Sequence, residues 1–89
     1  EENGRTLLHF AARYGYNDIA RTLLKHGAAV DARAVDGWTP LHMAARNGHV
    51  DIARTLLKRR AAVDAYNQNG ATPLYIAAQR GHVNIVRTL

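Results

Sequence analysis

The chain has 89 residues, a length typical of one domain, and 47% of them are hydrophobic. It contains no cysteine, which excludes disulfide bonds, thiolate metal ligands and a cysteine nucleophile. The formal net charge is +5 and the longest basic run is Lys58-Arg59-Arg60, so the charge favours acidic partners only mildly. No apolar run approaches the roughly 20 residues that span a bilayer, and the polar, acidic start is unlike a signal peptide. We expect no membrane association, and an intracellular rather than a secreted protein.

Three related strings recur along the chain every 33 residues. Thr6, Thr39 and Thr72 open the strings TLLHFAA, TPLHMAA and TPLYIAA, and a glycine follows each threonine nine residues later. A fixed period of this length indicates stacked repeats, each of which buries its apolar face only against its neighbours. We therefore predict a single domain over 1–89, built of units at about 1–33, 34–66 and 67–89.

The sequence of each unit predicts a first helix, a second helix and a projecting turn, in that order. The middle unit shows why. Thr39 can cap a helix that has Pro40 in its first turn, and Gly48 can end that helix in a left-handed conformation. A second helix follows over 51–58 with apolar residues at helical spacing, and the turn-forming run 64–70 leads into the third string.

Residues 36–52 read DGWTPLHMAARNGHVDI, which resembles the ankyrin-repeat consensus almost position by position, and the resemblance covers the whole chain. It implies an all-α solenoid of stacked helix-turn-helix units joined by β-hairpin or turn loops. It also implies a protein-binding module with no catalytic activity. In the family, partners contact a concave surface formed by the hairpin tips and the exposed side of the first helices.

Several residues depart from the family pattern. Tyr16 and Tyr75 replace histidines of a buried type, so we expect both to be structural. Arg60 stands where Gly27 ends the second helix of the first unit, and a non-glycine residue with positive φ costs on the order of 1 kcal/mol. Arg60 is either a tolerated substitution, with Arg59 and Arg60 near a helix C-terminus, or a basic contact point. Both interpretations stay open.

The two ends of the chain carry no polar capping unit, and the sequence lacks an initiator methionine. Solenoids need polar caps for solubility. We therefore expect exposed apolar surface at the ends, in either a fragment of a longer array or an engineered scaffold, with possible partners including a second copy of the chain.

The chemistry-bearing residues do not predict a catalytic or metal site. Four of the five histidines, and the aspartates at 18, 31, 51 and 64, belong to the repeated pattern, and the chain has no serine. The resemblance implies that the histidines are structural hydrogen-bonding residues, and the 33-residue period separates equivalent histidines, whereas a zinc site needs three or four convergent ligands. We expect no enzyme, no metal and no cofactor.

The positions that differ between units are the candidates for partner binding, and the resemblance places them at the turn tips and on the first helices. They include the only tryptophan and several arginines and tyrosines, the residue types that dominate interface energetics. The predicted contact residues are Arg5, Arg13, Tyr14, Arg33, Val35, Asp36, Trp38, Arg46, Asn47, Tyr66, Gln68, Gln79 and Arg80, with Asn69 and Ala71 at the same tips. Trp38 and Tyr66 are either exposed contact residues or pack on each other across adjacent turns.

Three functions follow from these residues. The leading one is a protein-interaction module whose partner is partly acidic. An alternative is nucleic-acid or nucleotide binding by the same basic and aromatic face, which the modest charge and the absence of a dedicated motif disfavour. The third is a scaffold, natural or engineered, with no target of its own.

Overall fold

The computed structural model describes residues 2–89, and it contains six α-helices that follow one another in three pairs. A short 3₁₀-helix, Glu2–Gly4, precedes the first pair. The α-helices are α1 (Leu7–Tyr14), α2 (Asn17–Lys25), α3 (Pro40–Asn47), α4 (Val50–Lys58), α5 (Pro73–Gln79) and α6 (Val83–Thr88).

The pairs stack so that the helices form two layers. The first helices, α1, α3 and α5, contact one another in that order, and we call them the first-helix layer. The second helices, α2, α4 and α6, do the same and form the second-helix layer. The stack measures 31 × 25 × 20 Å. This is the all-helical solenoid that the resemblance implies.

The long connections between the pairs are tight turns, and residues 2–89 contain no strand. One hydrogen bond closes each turn at its base, from the Ala34 N–H to the Trp38 carbonyl (2.9 Å) and from the Asn67 N–H to the Ala71 carbonyl (3.0 Å). A further bond, from the Gln68 N–H to the carbonyl of the preceding turn at Asp36 (2.9 Å), joins the two turns.

The first helices begin at threonine caps, as the sequence predicts. At α3 the Thr39 hydroxyl accepts the His42 N–H (3.3 Å), while the His42 Nδ1 accepts the Thr39 N–H (3.0 Å). Each donor would otherwise lack a partner, and such a cap stabilises a helix by about 1 kcal/mol. At α5 only half of this exchange remains, because Tyr75 stands in the place of the histidine and the Thr72 hydroxyl accepts its N–H alone.

Left-handed residues end the helices where the sequence predicts them. Gly48 ends α3 with φ 74°, and a Cβ there would lie 2.9 Å from Nδ1 of the His82 ring. The glycine is therefore required both by its conformation and by the close imidazole. After α4, Arg60 has φ 64°, where Gly27 has φ 93° after α2, so the predicted non-glycine left-handed position is confirmed.

The core lies between the two layers and depends on small residues in the first helices. Ala44, Ala45 and their equivalents in α1 are fully buried, which lets the helices approach closely. Ile52 is 1% exposed, a burial that stabilises the fold by roughly 1.5–3 kcal/mol. The equivalent Ile19 is 51% exposed, because no helix within residues 2–89 covers α2 on that side. Apolar surface is thus open at the end of the stack.

Candidate functional site

The backbone at Trp38 is held by hydrogen bonds from two directions. Within the turn, the Asp36 Oδ1 accepts the Trp38 N–H (3.2 Å). From the preceding helix pair, the His9 Nε2 donates to the Trp38 carbonyl (2.8 Å), the same oxygen that accepts the Ala34 N–H. The tryptophan is therefore positioned by the stack and not by its own turn alone.

The next turn is organised by Asn67, which is buried. Its Oδ1 accepts the N–H groups of Asn69 (2.9 Å) and Ala71 (3.0 Å), and the His42 Nε2 donates to the Ala71 carbonyl (2.8 Å). A side chain that satisfies two turn N–H groups fixes the turn as a backbone bond would. Sequence reasoning did not single out Asn67, although asparagine in a turn-forming run was the available signal.

His42 connects the cap of α3 to the turn that Asn67 organises, through its bonds to Thr39 and Ala71. Burial lowers its pKa below 6.5, against the opposing effect of its bond to the Ala71 carbonyl, and the charge of Arg33 lowers it further. The geometry agrees, since Nδ1 accepts the Thr39 N–H and must carry no proton. His42 thus acts as a structural connector, the role that the resemblance implies.

A groove of about 630 Å³ lies between the two turns and the helices α3 and α5. It is lined by Trp38, Arg46, Asn67, Asn69, Gly70, Ala71, Tyr75, Ile76, Gln79 and Arg80. None of these residues is acidic. Six of the residues predicted for partner contact therefore meet in one place: Trp38, Arg46, Asn69, Ala71, Gln79 and Arg80.

The aromatic and basic side chains of the groove are arranged for contact. Trp38 is half-buried, its ring centroid lies 5.5 Å from that of His42, and the Arg46 guanidinium lies 5.7 Å from the tryptophan centroid. The ion pairs of the described residues are Arg5–Asp36, Arg21–Asp18 and Arg54–Asp51. Arg46 and Arg80 take part in none of them and are exposed. Two guanidinium groups thus face solvent beside an aromatic surface.

Two other predicted residues lie at the open end of the first-helix layer. The rings of Phe10, Tyr14 and Tyr16 form a group with centroid separations of 4.9–6.1 Å, and the Arg13 guanidinium lies 5.2 Å from the Tyr14 centroid. Arg13 and Tyr14 are therefore separated from the groove and belong to this terminal aromatic group.

Four further predicted residues are engaged within the chain. Arg5 pairs with Asp36 (3.3 Å), the Arg33 guanidinium donates to the Tyr66 carbonyl (2.8 Å), and the Asn47 amide donates to the Met43 carbonyl one turn earlier in α3 (2.9 Å). Val35, Tyr66 and Gln68 are exposed at the turns. None of these residues lines the groove.

The structure corrects two expectations about aromatic residues. Tyr16 and Tyr75 were expected to be structural, but they are 46% and 59% exposed. The histidines equivalent to Tyr16 bond to the preceding helix pair, and the described chain has no such pair before Tyr16. The histidines equivalent to Tyr75 bond to the carbonyl of the following turn, and the described chain has no turn after the third helix pair. The phenol of Tyr75 also does not complete the threonine cap. The rings of Trp38 and Tyr66 do not pack on each other, because Trp38 is half-buried on His42 while Tyr66 is 64% exposed. The interpretation of both residues as partner contacts stays a prediction.

Two other classes of site are absent from residues 2–89. None of the helices in this part of the chain has both the length and the hydropathy to cross a membrane. No three histidine or carboxylate side chains there lie close enough together to hold a metal ion.

A family model described as ankyrin repeats (3 copies) matches residues 1–67 and 28–89, which together cover the chain. Ankyrin repeats generally act as protein–protein interaction modules, and the family is typically non-catalytic. Both the match and the two-layer helical stack agree with the resemblance found in the sequence. The chain belongs to the ankyrin-repeat family.

Proposed function

We propose that this chain is a non-catalytic protein-binding module that holds an extended, acidic segment of its partner in the groove beside Trp38. One observation carries the proposal. Arg46 and Arg80 line the same groove as Trp38 and Tyr75, neither arginine has a carboxylate partner, and no acidic residue lines the groove.

The side chains of the groove suit a carboxylate next to an apolar residue. Guanidinium groups bind carboxylates through two parallel hydrogen bonds, which adds geometric selectivity to charge. Arg46 is held over the Trp38 ring, so less of its conformational freedom is lost when a ligand binds. Buried Ile76 and half-buried Trp38 offer apolar contact on the same surface. An acidic side chain can therefore bind the arginines while its neighbour contacts the aromatic surface.

The rigidity of the groove supports affinity from a modest contact area. The turns that form its wall are fixed by the bonds of Asn67 and His42, and not by exposed side chains. A preorganised surface loses little conformational entropy on binding. A short peptide is therefore a sufficient probe of the groove.

The experiment selects binders of the immobilised 89-residue chain from a displayed library of random 12-residue peptides. Affinities of the recovered peptides are then measured by the fluorescence of Trp38, the only tryptophan. We expect enrichment of Asp or Glu beside an apolar residue. The double variant Arg46→Gln/Arg80→Gln should weaken binding at least tenfold, because two charge-assisted hydrogen-bonding groups are lost.

A matched control separates groove binding from general attraction to a basic chain. The double variant Arg21→Gln/Arg54→Gln removes the same charge from the second-helix layer and keeps Trp38 and the groove intact. Peptides that bind the groove should retain their affinity for it. Equal losses in both double variants, or recovered peptides with no acidic preference, would overturn the proposal.

We extend the proposal to self-association through the ends of the stack. Leu7, Phe10 and Ile19 are 49–60% exposed at one end, and Leu74 and Val83 are 46% and 54% exposed at the other. The two surfaces differ, so a second copy would stack head to tail and leave one surface of each kind free to bind a further copy. Sedimentation velocity over a hundredfold range of concentration should show growing species. Ile19→Lys should abolish them, and a sedimentation coefficient independent of concentration would refute self-association.

A further inference from the structure

The net charge of the chain resides on the second-helix layer. The helices α2, α4 and α6, with the residues that end them at 26–27 and 59–60, carry seven basic and two acidic side chains, a balance of +5. The remainder of the chain carries five basic and five acidic residues and has no net charge. The basic residues of this layer are Arg21, Lys25, Arg54, Lys58, Arg59, Arg60 and Arg87, and all seven are exposed. A charge that is modest for the whole chain is therefore concentrated on one surface.

The basic side chains form a continuous surface across the three helices. Arg21, Arg54 and Arg59 line one shallow groove between α2 and α4, and Arg54 and Arg87 line the next groove between α4 and α6. Arg21, Arg54 and Arg87 are separated by 33 residues and occupy the same place on successive helices. Packed helices lie about 8–10 Å apart, so this row spans roughly 16–20 Å.

The acidic residues of the layer neutralise this surface only in part. Asp18 lies 2.9 Å from Arg21 and Asp51 lies 4.0 Å from Arg54, but both pairs are largely exposed and such pairs are weak. In α6 the equivalent position is Asn84, so Arg87 has no acidic neighbour there.

One basic side chain near the end of α4 is held in place by a hydrogen bond to the neighbouring helix. The Arg59 guanidinium donates to the Leu24 carbonyl at the end of α2 (3.2 Å), which fixes it between the two helices. Arg60 and Lys58 are exposed beside it. The basic groups are thus densest at the end of α4.

The composition of the surface selects among polyanions. Five of its seven basic residues are arginines, which bind phosphate through two parallel hydrogen bonds. The layer exposes no aromatic ring from α2, α4 or α6, whereas single-stranded nucleic acid is bound by stacking on aromatic residues. The large apolar residues that these helices expose are Ile19 on α2 and Val83 on α6, and none lies on the central helix α4. The centre of the basic surface therefore has no hydrophobic side chain that could insert into a bilayer.

We propose that the second-helix layer binds the phosphate backbone of a double-stranded nucleic acid without reading its sequence. The row of arginines is long enough to reach phosphates on both sides of a major groove, which is about 12 Å wide. Contacts of this kind position a protein on the duplex and carry no base information. This function is independent of the groove beside Trp38, which lies among the turns and the first helices.

The test is the fluorescence anisotropy of a labelled 20-base-pair DNA duplex titrated with the 89-residue chain between 50 and 200 mM salt. One phosphate contact for each of the five arginines predicts a slope of log affinity against log salt of about −4.5. The affinity should therefore fall about 500-fold over this range of salt concentration. Two duplexes of unrelated sequence should bind equally. No measurable binding at 50 mM salt would overturn the proposal.

Two triple variants with equal loss of charge locate the binding surface. Arg54→Gln/Arg60→Gly/Arg87→Gln removes three of the five arginines of the layer, and its slope should become shallower by about 2.7, or 0.9 for each lost contact. Arg13→Gln/Arg46→Gln/Arg80→Gln changes the other layer, and its slope should stay as in the unchanged chain. Equal effects of the two variants would show that only the total charge matters and would overturn the proposal.

Two further measurements test whether weaker binding reflects unfolding of the variant and whether the surface prefers another polyanion. The Arg60→Gly change relieves a positive φ, so weaker binding by a chain that is no less stable in thermal unfolding cannot be attributed to unfolding. Vesicles with 30% phosphatidylserine and single-stranded DNA of the same length serve as competitors. Tighter binding to either of these than to the duplex would overturn the proposal.

Discussion

Replacement of Arg60 by glycine should stabilise the chain, although it removes a side chain from the end of α4. Arg60 has φ 64°, a conformation in which the Cβ of an L-residue lies too close to the carbonyl oxygen. Gly27, at the equivalent place after α2, has φ 93°. The side chain of Arg60 is exposed and forms no hydrogen bond or ion pair in the described part of the chain.

The size of the effect follows from two opposing contributions. The left-handed conformation costs a non-glycine residue roughly 1–2 kcal/mol. Glycine gives the unfolded chain more freedom, which offsets about 0.4–1 kcal/mol of that gain. We expect a net increase in the free energy of unfolding of about 0.5–1 kcal/mol, and an increase in Tm of about 2–8 °C for a domain of this size.

The assay is urea and thermal unfolding followed by circular dichroism at 222 nm. Arg60→Ala is the matched control, because it removes the same charge and keeps the Cβ, and it should give little or no gain. Gly27→Ala is the reverse change at a site where a Cβ meets nothing within 4 Å, so its loss of about 1 kcal/mol would be conformational alone. An Arg60→Gly chain no more stable than Arg60→Ala would refute the reasoning.

Three further predictions concern the caps and the buried histidine. Thr39→Ala should lower the free energy of unfolding by about 1 kcal/mol in urea titrations, because α3 loses its cap. Gly48→Ala should cost about 1–3 kcal/mol more than Gly81→Ala in the same assay; both glycines have positive φ, but a Cβ meets the His82 ring only at position 48. The folded-state pKa of His42 lies below 6.5, so the unfolded chain takes up this proton first and stability should fall as pH drops below about 6.5. Urea midpoints from pH 7.5 to 5 should show a smaller decrease in His42→Gln, and an equal decrease would contradict the role of the imidazole.

The helix boundaries and the left-handed residues could be predicted from the sequence because they depend on near neighbours. The cap of Thr39 involves a residue three positions later, Gly48 directly follows the last residue of α3, and Arg60 lies two residues after the end of α4. The 33-residue period then predicted that the units stack on one another. These features require no knowledge of which residues meet from distant parts of the chain.

The exposure of the aromatic residues could not be predicted in this way. The burial of Trp38 depends on the ring of His42 and the position of Arg46, and its backbone is held by His9, 29 residues earlier. Tyr75 is exposed because its ring has no distant carbonyl to contact within the described chain. Of the groove residues, Trp38, Arg46, Asn69, Ala71, Gln79 and Arg80 were found as positions that vary between the repeats. Asn67 was not singled out, and Tyr75 was expected to be structural.

The distribution of charge was hidden for a related reason. Charge counted along the sequence mixes residues of both layers in every repeat, so each unit carries only a small excess. The separation emerges when residues are assigned to the first or the second helix of each pair. Arg54 and Arg46 then lie on different surfaces, although they are eight residues apart.

The central claim, that a partner segment binds between the turns and the first helices, is tested most directly by mapping the contact on the chain itself. The measurement is the change in backbone amide chemical shifts of the isotope-labelled chain on addition of the tightest peptide from the selection. We predict the largest changes at Trp38 and Arg46 and across 67–80, with little change on α2 and α4. Changes concentrated on the second-helix layer, or at the exposed ends of the stack, would contradict the account.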